Sequence, residues 1–239
     1  MRLFRLFCIF TLLPFFAKAG DTTSVKQKRF AIGISISPDY CFRDLYVGIA
    51  NPATSFIAND RQQSEIPMMG MRAGINDEIR FCKKFGLEIG LIYSLQGYKT
   101  KPVEFYNGLD VAPQGKAIYR YNYHYILIPV LVNYHFGKRK VKAIASAGIL
   151  PALMLFEQTK GNIKFNDGHK GTKRGDLNYI YDPIGIYANV GAGGEISFGK
   201  KSILRVEPDF IYGLRTTGGG DISENLWAFG LNVGWYFTF

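Results

Sequence analysis

The last thirteen residues of the chain alternate strictly between two kinds of side chain. The large apolar set is Trp227, Phe229, Leu231, Val233, Trp235, Phe237 and Phe239, and the residues between them are Ala228, Gly230, Asn232, Gly234, Tyr236 and Thr238. Period-2 alternation indicates a β-strand, because successive side chains of a strand point to opposite faces. A large apolar face opposite a small or polar face is typical of a transmembrane barrel strand, which presents the first to lipid and the second to the lumen.

Seven earlier segments follow the same pattern and are predicted to be strands. They cover residues 30–37, 68–82, 85–98, 119–136, 141–156, 184–198 and 202–214. The connections alternate between tight turns at 82–84, 137–140 and 199–201 and long polar stretches at 38–67, 99–118, 157–183 and 215–225. Such alternation is typical of outer-membrane barrels, with turns in the periplasm and loops outside. The sequence therefore predicts an all-β, eight-stranded antiparallel up-and-down transmembrane β-barrel with both mature termini in the periplasm.

One charge interrupts the apolar face of the second segment. Simple alternation places Asp77 on the outward face, where a carboxylate would meet lipid. The sequence therefore predicts a bulge or a register break near Asn76, which would move the carboxylate away from that face.

The composition agrees with a membrane-facing surface. Aromatic residues make up 15% of the chain and charged residues 20%, slightly below the soluble average for charge. Beyond the N-terminus, no stretch approaches the roughly 18 apolar residues that a transmembrane helix needs. A chain that spans a membrane without helices must form a closed barrel, because only closure satisfies every backbone polar group in lipid.

Residues 1–19 are predicted to be a secretory signal peptide, followed by one outer-membrane β-barrel domain at 20–239. The segment combines a basic start, an apolar run and an A-x-A cleavage site that ends at Ala19. The mature chain then begins at Gly20, and loss of three basic residues leaves a net charge of 26 − 19 = +7. The alternative is an uncleaved N-terminal membrane anchor, which the short apolar run disfavours.

The positive charge is concentrated in the three tight turns, which contain seven basic residues and no acidic one. These residues are Lys83, Lys84, Lys138, Arg139, Lys140, Lys200 and Lys201. A pI near 9.4 is compatible with nucleic-acid binding, but charge confined to turns argues against that partner. We hypothesise that this basic ring contacts anionic phospholipid of the inner leaflet or an acidic periplasmic protein. The alternative is that lysine only keeps the turns soluble.

The inward positions carry charges of both signs. The predicted polar network of the lumen comprises Arg72, Glu78, Arg80, Glu88, Glu195, Arg205, Glu207 and Asp209. Eight strands leave an interior just wide enough for side chains to fill, so mixed charges there predict ion pairs that plug the barrel. The alternative is a proton path or a narrow pore.

No catalytic, metal or cofactor site is expected. The three histidines, His124, His135 and His169, show no recognisable spacing to a serine nucleophile and no metal-ligand spacing to other donors. The Gly191–Gly194 stretch lies inside a predicted strand with no helix after it, so it lacks the context of a phosphate-binding loop.

Several motifs resemble a known family. The segments Met71-Arg72-Ala73-Gly74, Leu87–Gly97, Ile128-Pro129 and Gly191-Ala192-Gly193-Gly194-Glu195 are similar to those of the PorT-like outer-membrane β-barrel family of the Bacteroidetes. The resemblance covers essentially the whole mature chain and implies the same barrel fold. It also implies an alternative role, as an accessory component of a protein secretion system. The alternating Trp235, Phe237 and terminal Phe239 resemble the signal by which the barrel assembly machinery recognises its clients during insertion.

The sequence favours a non-enzymatic surface or structural protein whose external loops contact an extracellular partner. A periplasmic protein partner and outer-membrane lipid are the other expected contacts, and nucleic acid is not expected. The secretion accessory remains an alternative, and an outer-membrane lipid-modifying enzyme is a weaker one.

Overall fold

The computed structural model describes residues 30–48, 51–106, 112–137, 140–176, 183–199, 201–215 and 221–239. Within these ranges the chain forms eleven β-strands and one α-helix. They are β1 (Phe30–Val47), α1 (Pro52–Ser64), β2 (Glu65–Arg80), β3 (Phe85–Thr100), β4 (Val103–Phe105), β5 (Gly115–Leu127), β6 (Val130–Phe136), β7 (Val141–Phe165), β8 (Lys170–Asp176), β9 (Ile184–Phe198), β10 (Ser202–Gly213) and β11 (Ile222–Thr238). No helix within these ranges is both long enough and apolar enough to cross a membrane.

The strands form one antiparallel sheet that closes on itself where β1 pairs with β11. β1, β2 and β3 pair in sequence, as do β7, β9, β10 and β11. Between β3 and β7, the shorter strands β5 and β6 lie end to end and occupy one position of the ring. The ring therefore has eight positions, which confirms the predicted eight-stranded antiparallel barrel.

The fourth predicted segment, 119–136, is two strands rather than one. Ile128 and Pro129 separate β5 from β6. Proline has no N–H to donate to a neighbouring strand, whereas the Ile128 N–H still donates to the Pro151 carbonyl of β7 at 2.8 Å. The interruption divides the strand without opening the ring.

Several strands continue into stretches predicted as loops. β1 extends beyond its predicted end at Ser37, β7 extends to Phe165, and β11 begins at Ile222. β8 folds back on β7, and β4 pairs with β5. These stretches lack the apolar outward face on which the sequence prediction depended. Their backbone pairing nevertheless continues, because hydrogen bonds between strands do not require apolar outer side chains.

The first predicted loop, 38–67, contains α1. The Asn51 side chain accepts a hydrogen bond from the Thr54 N–H at 2.9 Å, and the Thr54 hydroxyl accepts one from the Asn51 N–H at 3.0 Å. This reciprocal pair is a capping box, and Pro52 occupies the first turn, where its fixed φ favours helix. The long polar connection predicted at 38–67 therefore contains a helix at residues 52–64 that was not predicted.

The predicted register break near Asn76 is also wrong. The second half of β2 pairs with both β1 and β3 residue by residue, and the shift lies between Pro67 and Met71. Asn76 is buried in the lumen. Asp77 therefore remains on the outward face, because continuous pairing preserves the alternation.

The two faces of the ring differ as the alternation predicts. Large apolar side chains cover the outside; Ile34 is 65% exposed and Phe237 is 50% exposed. Polar side chains such as Asn76 and Gln96 are fully buried inside. Polar side chains therefore line much of the lumen, beside a buried apolar cluster that includes Leu127 and Ile211, and a large apolar surface lies outside.

The three tight turns lie at one end of the ring, and we call this the turn side and the opposite end the loop side. Lys83, Lys84, Lys140 and Lys201 are exposed on the turn side. Gly199 has a φ of +65° there, in the left-handed region that favours glycine. The predicted turn residues Lys138, Arg139 and Lys200 and the predicted cleavage residues Ala19 and Gly20 lie outside the described residues.

The cysteines Cys41 and Cys82 are free and far apart. Cys41 is buried in the lumen and pairs in register with Met68 of β2, and Cys82 lies fourteen positions after Met68. At about 3.3 Å per residue, that distance greatly exceeds the roughly 7 Å between Cα atoms that a disulfide allows.

We expect a water-soluble maleimide to modify Cys82 in the folded, micelle-bound protein and to modify Cys41 only after denaturation. The Cys82 thiol is exposed, and hydrogen bonds from the backbone N–H groups of Lys84 and Phe85 lower its pKa, which increases the reactive thiolate fraction at neutral pH. Mass mapping of a non-reduced digest makes the measurement. A peptide pair linked through Cys41 and Cys82 would contradict the topology.

Candidate functional site

The lumen contains three clusters of charged side chains along its length. The turn-side cluster comprises Glu78, Arg80, Glu88, His135, Glu195 and Arg205. The central cluster comprises Ser37, Asp39, Arg72 and Asp209, with Ser146 and Glu207 beside it. The loop-side cluster comprises Arg43, Arg61, Glu65, Tyr98, Tyr123 and Glu224.

Arg205 of β10 lies at the centre of the turn-side cluster. Its guanidinium contacts the carboxylates of Glu78 and Glu88 and lies 2.8 Å from the Glu195 carboxylate. The guanidinium carbon also lies 4.3 Å from the centroid of the Tyr236 ring. One buried cation therefore joins strands β2, β3, β9 and β10, and its planar fork suits this role better than an ammonium group.

His135 of β6 completes this cluster. Its Nδ1 lies 2.9 Å from Glu195 Oε2, and its Nε2 lies 2.9 Å from Glu78 Oε1. An imidazolium protonated on both nitrogens donates to both carboxylates. With His135 in that form, three cations, His135, Arg80 and Arg205, balance three carboxylates.

The same three side chains, Glu78, His135 and Glu195, place possible metal-donor atoms within 4.8 Å of one another. Sequence spacing did not reveal this group, because its members come from three different strands. The carboxylates of Glu78 and Glu195 already accept hydrogen bonds from Arg80 and Arg205. Two guanidinium charges beside the same carboxylates oppose a metal cation, so the arrangement favours an ion-pair cluster.

Arg72 of β2 organises the central cluster. Its guanidinium makes two hydrogen bonds to Asp39, at 2.8 and 2.9 Å, and two to Asp209, at 2.7 and 2.8 Å. Both are bidentate pairs, which combine strength with a fixed geometry. A Cβ on Gly230 would lie only 2.2 Å from Asp39 Oδ1 and 2.4 Å from Arg72 Nη2, so this glycine provides the space for the pair.

Glu207 lies beside the central cluster without a cation of its own among the described ion pairs. The Ser146 hydroxyl donates to one of its carboxylate oxygens. A cavity of about 20 Å³ next to it is lined by side chains that include Asn133, Asn189 and Asp209. This volume is close to the space that one water molecule requires, so this stretch of the lumen is nearly filled.

The loop-side cluster ties α1 to the mouth of the barrel. Arg61 of α1 lies 3.0 Å from both Glu65 and Glu224 and donates to the Tyr98 hydroxyl at 2.8 Å. Arg43 contacts the same two carboxylates and lies 4.7 Å from the centroid of the Tyr98 ring. Since α1, β1, β2, β3 and β11 all contribute to this cluster, the helix is fastened to the barrel by ion pairs.

The eight residues predicted for the lumen all lie on its inner surface, and seven of them are buried; Arg80 is partly exposed. Six further members of the clusters were not predicted from the sequence: Asp39, Arg43, Arg61, Glu65, His135 and Glu224. Extending the alternation of β1 past Pro38 would have revealed Asp39 and Arg43, which continue the inward series of Ser35 and Ser37. Nothing in the sequence indicates the role of Arg61, because its partner Glu224 is 163 residues away.

The predicted assembly residues Trp235, Phe237 and Phe239 lie on the outward face. The Trp235 ring stacks on Phe198 of β9 at 5.5 Å between centroids, above the intervening strand β10. The exposed turn lysines lie at the same end of the barrel. An aromatic belt beside a basic rim is typical of a membrane interface.

A family model described as an outer membrane protein beta-barrel domain matches residues 26–217. No curated protein matches the sequence. Among solved structures, the chain is similar to Neisserial surface protein A, with 11% identity, a TM-score of 0.47 and coverage of 88% of this chain and 97% of that one. It is also similar to OprG from Pseudomonas aeruginosa, with 13% identity, a TM-score of 0.38 and coverage of 91% of this chain and 99% of that one. A third similar structure is the outer membrane protease OmpT from Escherichia coli, with 8% identity, a TM-score of 0.41 and coverage of 92% of this chain and 99% of that one.

We expect Arg205→Leu to lower the free energy of unfolding by about 3–5 kcal/mol, because it leaves three buried carboxylates with too few cations. Urea unfolding of the protein in micelles, followed by tryptophan fluorescence, measures the change. Arg174→Gln, which removes an exposed arginine, should change stability by no more than about 0.5 kcal/mol. Equal effects of the two substitutions would show that the turn-side cluster does not stabilise the barrel.

A second expectation concerns the close packing around Gly230. We expect Gly230→Ala to destabilise the barrel by about 1–3 kcal/mol, because the added methyl group must displace the Arg72–Asp39 pair. Gly175→Ala is the matched control, since a Cβ there would meet nothing within 4 Å. The same unfolding measurement compares them, and a neutral Gly230→Ala would contradict the described packing of the central cluster.

Proposed function

We propose that this chain, which belongs to the outer membrane protein beta-barrel domain family, is a non-enzymatic outer-membrane protein that acts through its external loop side. The barrel itself serves as a membrane anchor with a closed lumen. The ligand or partner is bound outside the membrane, by the extended hairpins.

The filled lumen carries this proposal. Three charged clusters occupy the lumen, and α1 is fastened to its loop-side mouth by Arg61. Ions in transit would have to break buried ion pairs, whose disruption is costly. The lumen therefore serves stability, and the surfaces left for recognition are the parts of the chain that extend beyond the ring.

The proposed orientation places the turn side and both mature termini in the periplasm. Its support is the difference between the two ends: turns of three or four residues on one and hairpins and a helix on the other. Outer-membrane barrels have their short turns in the periplasm and their longer loops outside. Cleavage after Ala19 and recognition of Phe239 by the assembly machinery belong to the same proposal.

The surroundings of the histidines support a non-enzymatic role. His124 accepts or donates a hydrogen bond with Tyr93 at 2.6 Å on the outward face, and His135 lies between two carboxylates. His169 lies 3.0 Å from Asp167 at an exposed hairpin. Among the hydrogen bonds of the described residues, none joins a histidine to a serine hydroxyl, which a serine hydrolase would need.

A second candidate is an accessory role in a Bacteroidetes protein secretion system, as the PorT-like resemblance implies. The exposed lysines Lys83, Lys84, Lys140 and Lys201 favour it, because they form a basic surface on the proposed periplasmic side that an acidic partner would fit. Loss of cargo export after gene deletion would favour this role. Loss of surface attachment after deletion of the β7–β8 hairpin alone would favour the first candidate, a surface protein that acts through its external loop side.

We expect a membrane-impermeant maleimide to label intact cells that carry the double substitution Cys82→Ser and His169→Cys. His169 lies at the tip of the proposed external hairpin, whereas Cys82 lies in a proposed periplasmic turn. Cells with the unchanged chain are the matched control and should label only after permeabilisation.

The opposite labelling pattern would overturn the proposed orientation. Large, stable conductance of the purified protein in planar bilayers would separately contradict the closed lumen, because a side-chain-filled barrel leaves no wide path.

A further inference from the structure

Four strands extend past the ring on the loop side as a small sheet, in the order β4, β5, β7 and β8. Residues directly opposite one another in such a sheet share a face. On β5 this shared face includes Lys116 and Arg120, which alternate with the buried Ala117 and the half-buried Tyr119. It is the face that continues downward to the outward side chains of the barrel.

The strand register aligns basic residues on this face in two rows. We call the row closer to the barrel the inner row, and it comprises Lys99, Arg120, Lys160 and Arg174, each opposite the next. The outer row comprises Glu104, Lys116, Lys164 and Lys170, again each opposite the next. Seven of these eight positions are cationic, although the four predicted loops together are nearly neutral.

This alignment is unfavourable for the protein alone. Directly opposite side chains have Cβ atoms about 4.5–5.5 Å apart, and like charges at that spacing destabilise a sheet. Within the described ranges, none of the seven cations forms an ion pair. The one acid, Glu104, accepts a hydrogen bond from Tyr106. An external anion would relieve the repulsion.

The position of the inner row identifies the anion. Four residues further down β5, His124 stacks on Phe156 at 4.1 Å and hydrogen-bonds Tyr93 at 2.6 Å. This outward aromatic group is typical of the membrane interface. Four residues of a tilted strand span roughly 10 Å along the membrane normal, so the inner row lies at headgroup height and faces sideways, toward the neighbouring lipid.

We propose that the two cationic rows bind phosphate groups of phosphorylated glycolipid headgroups in the outer leaflet, next to the barrel wall. This rests on the proposed orientation, in which the hairpins lie outside. Arginine holds a phosphate with two parallel hydrogen bonds, and lysine adds point charge. A headgroup that carries two phosphates would bridge neighbouring strands of the sheet and remove their mutual repulsion.

A soluble polyanion fits the position less well. The rows face along the membrane plane, and their inner members adjoin the lipid-facing surface, whereas a soluble polymer would reach the hairpin tip most easily. The tip around His169 combines Asp167 with the basic side chains, so its charge is mixed. The shared face is therefore the more favourable phosphate surface, and lipid is its nearest source of phosphate.

The test titrates the purified, micelle-bound barrel with bisphosphorylated lipid A and counts bound lipid by native mass spectrometry. The inner-row variant Lys99→Gln, Arg120→Gln, Lys160→Gln, Arg174→Gln should bind lipid A at least about tenfold more weakly, because four charge-assisted contacts are removed. A control variant removes three exposed charges on the loop side that lie outside the two rows: Lys101→Gln, Lys173→Gln, Arg215→Gln. It should bind lipid A like the unchanged protein.

Dephosphorylated lipid A should bind the unchanged protein as weakly as the intact lipid binds the inner-row variant. An equal loss in both charge variants would mean non-specific attraction to a basic protein and would overturn the proposal. So would undiminished binding by the inner-row variant. Tighter binding of a sulfated oligosaccharide than of lipid A, abolished by the same substitutions, would assign the rows to a soluble polyanion instead.

The urea unfolding midpoint of the inner-row variant controls for folding, and it should be equal to or above that of the unchanged protein, since repulsion is removed. The purified barrel reports on the rows whichever way it is oriented in cells. Surface labelling of His169→Cys reports on the orientation alone. External labelling without lipid A binding would therefore reject this inference and keep the proposed function.

Discussion

Backbone hydrogen bonding is the constraint on which the barrel depends. In lipid, no water satisfies an open sheet edge, so a membrane-spanning sheet must close. Here the closure is the ladder between β1 and β11, which runs from Ala31 opposite Thr238 to Val47 opposite Ile222. The ring tolerates Ile128 and Pro129 between β5 and β6, because β3 and β7 continue past the interruption on both sides. This ring closes with eight strands, and the number of strands sets the width of the lumen.

A narrow lumen explains the three charged clusters. Eight strands leave room for side chains and little else, and buried charges persist only when each has a partner. Arg205 and Arg72 each contact carboxylates from more than one strand, and small residues such as Gly230 provide the space for them. The clusters therefore stabilise the ring from inside, beside a buried apolar and aromatic cluster that includes Tyr125, Leu127 and Ile211.

Outside the ring, the environment of one face changes along a single strand. The outward side of β7 is apolar at Leu153 and Leu155 and cationic at Lys160 and Lys164. The first pair meets the hydrocarbon, and the second lies beyond it. This change ended the hydrophobic alternation and led the sequence analysis to predict loops, although backbone pairing continues to Phe165. Alternation of side chains reports the surroundings of a strand rather than its hydrogen bonds. The lengths of strands that extend beyond the membrane were therefore underestimated.

The sequence by itself determined the fold class, the eight strands, the turns and most of the lumen-facing charges, because a strand in lipid must repeat every two residues along its whole length. It could not determine which charges meet, since partners such as Arg61 and Glu224 are 163 residues apart. Nor could it reveal His135 between Glu78 and Glu195, or the row that joins Lys99 to Arg174. Those arrangements depend on the register between strands, and register is set by backbone pairing across the closed sheet, which only the tertiary structure decides.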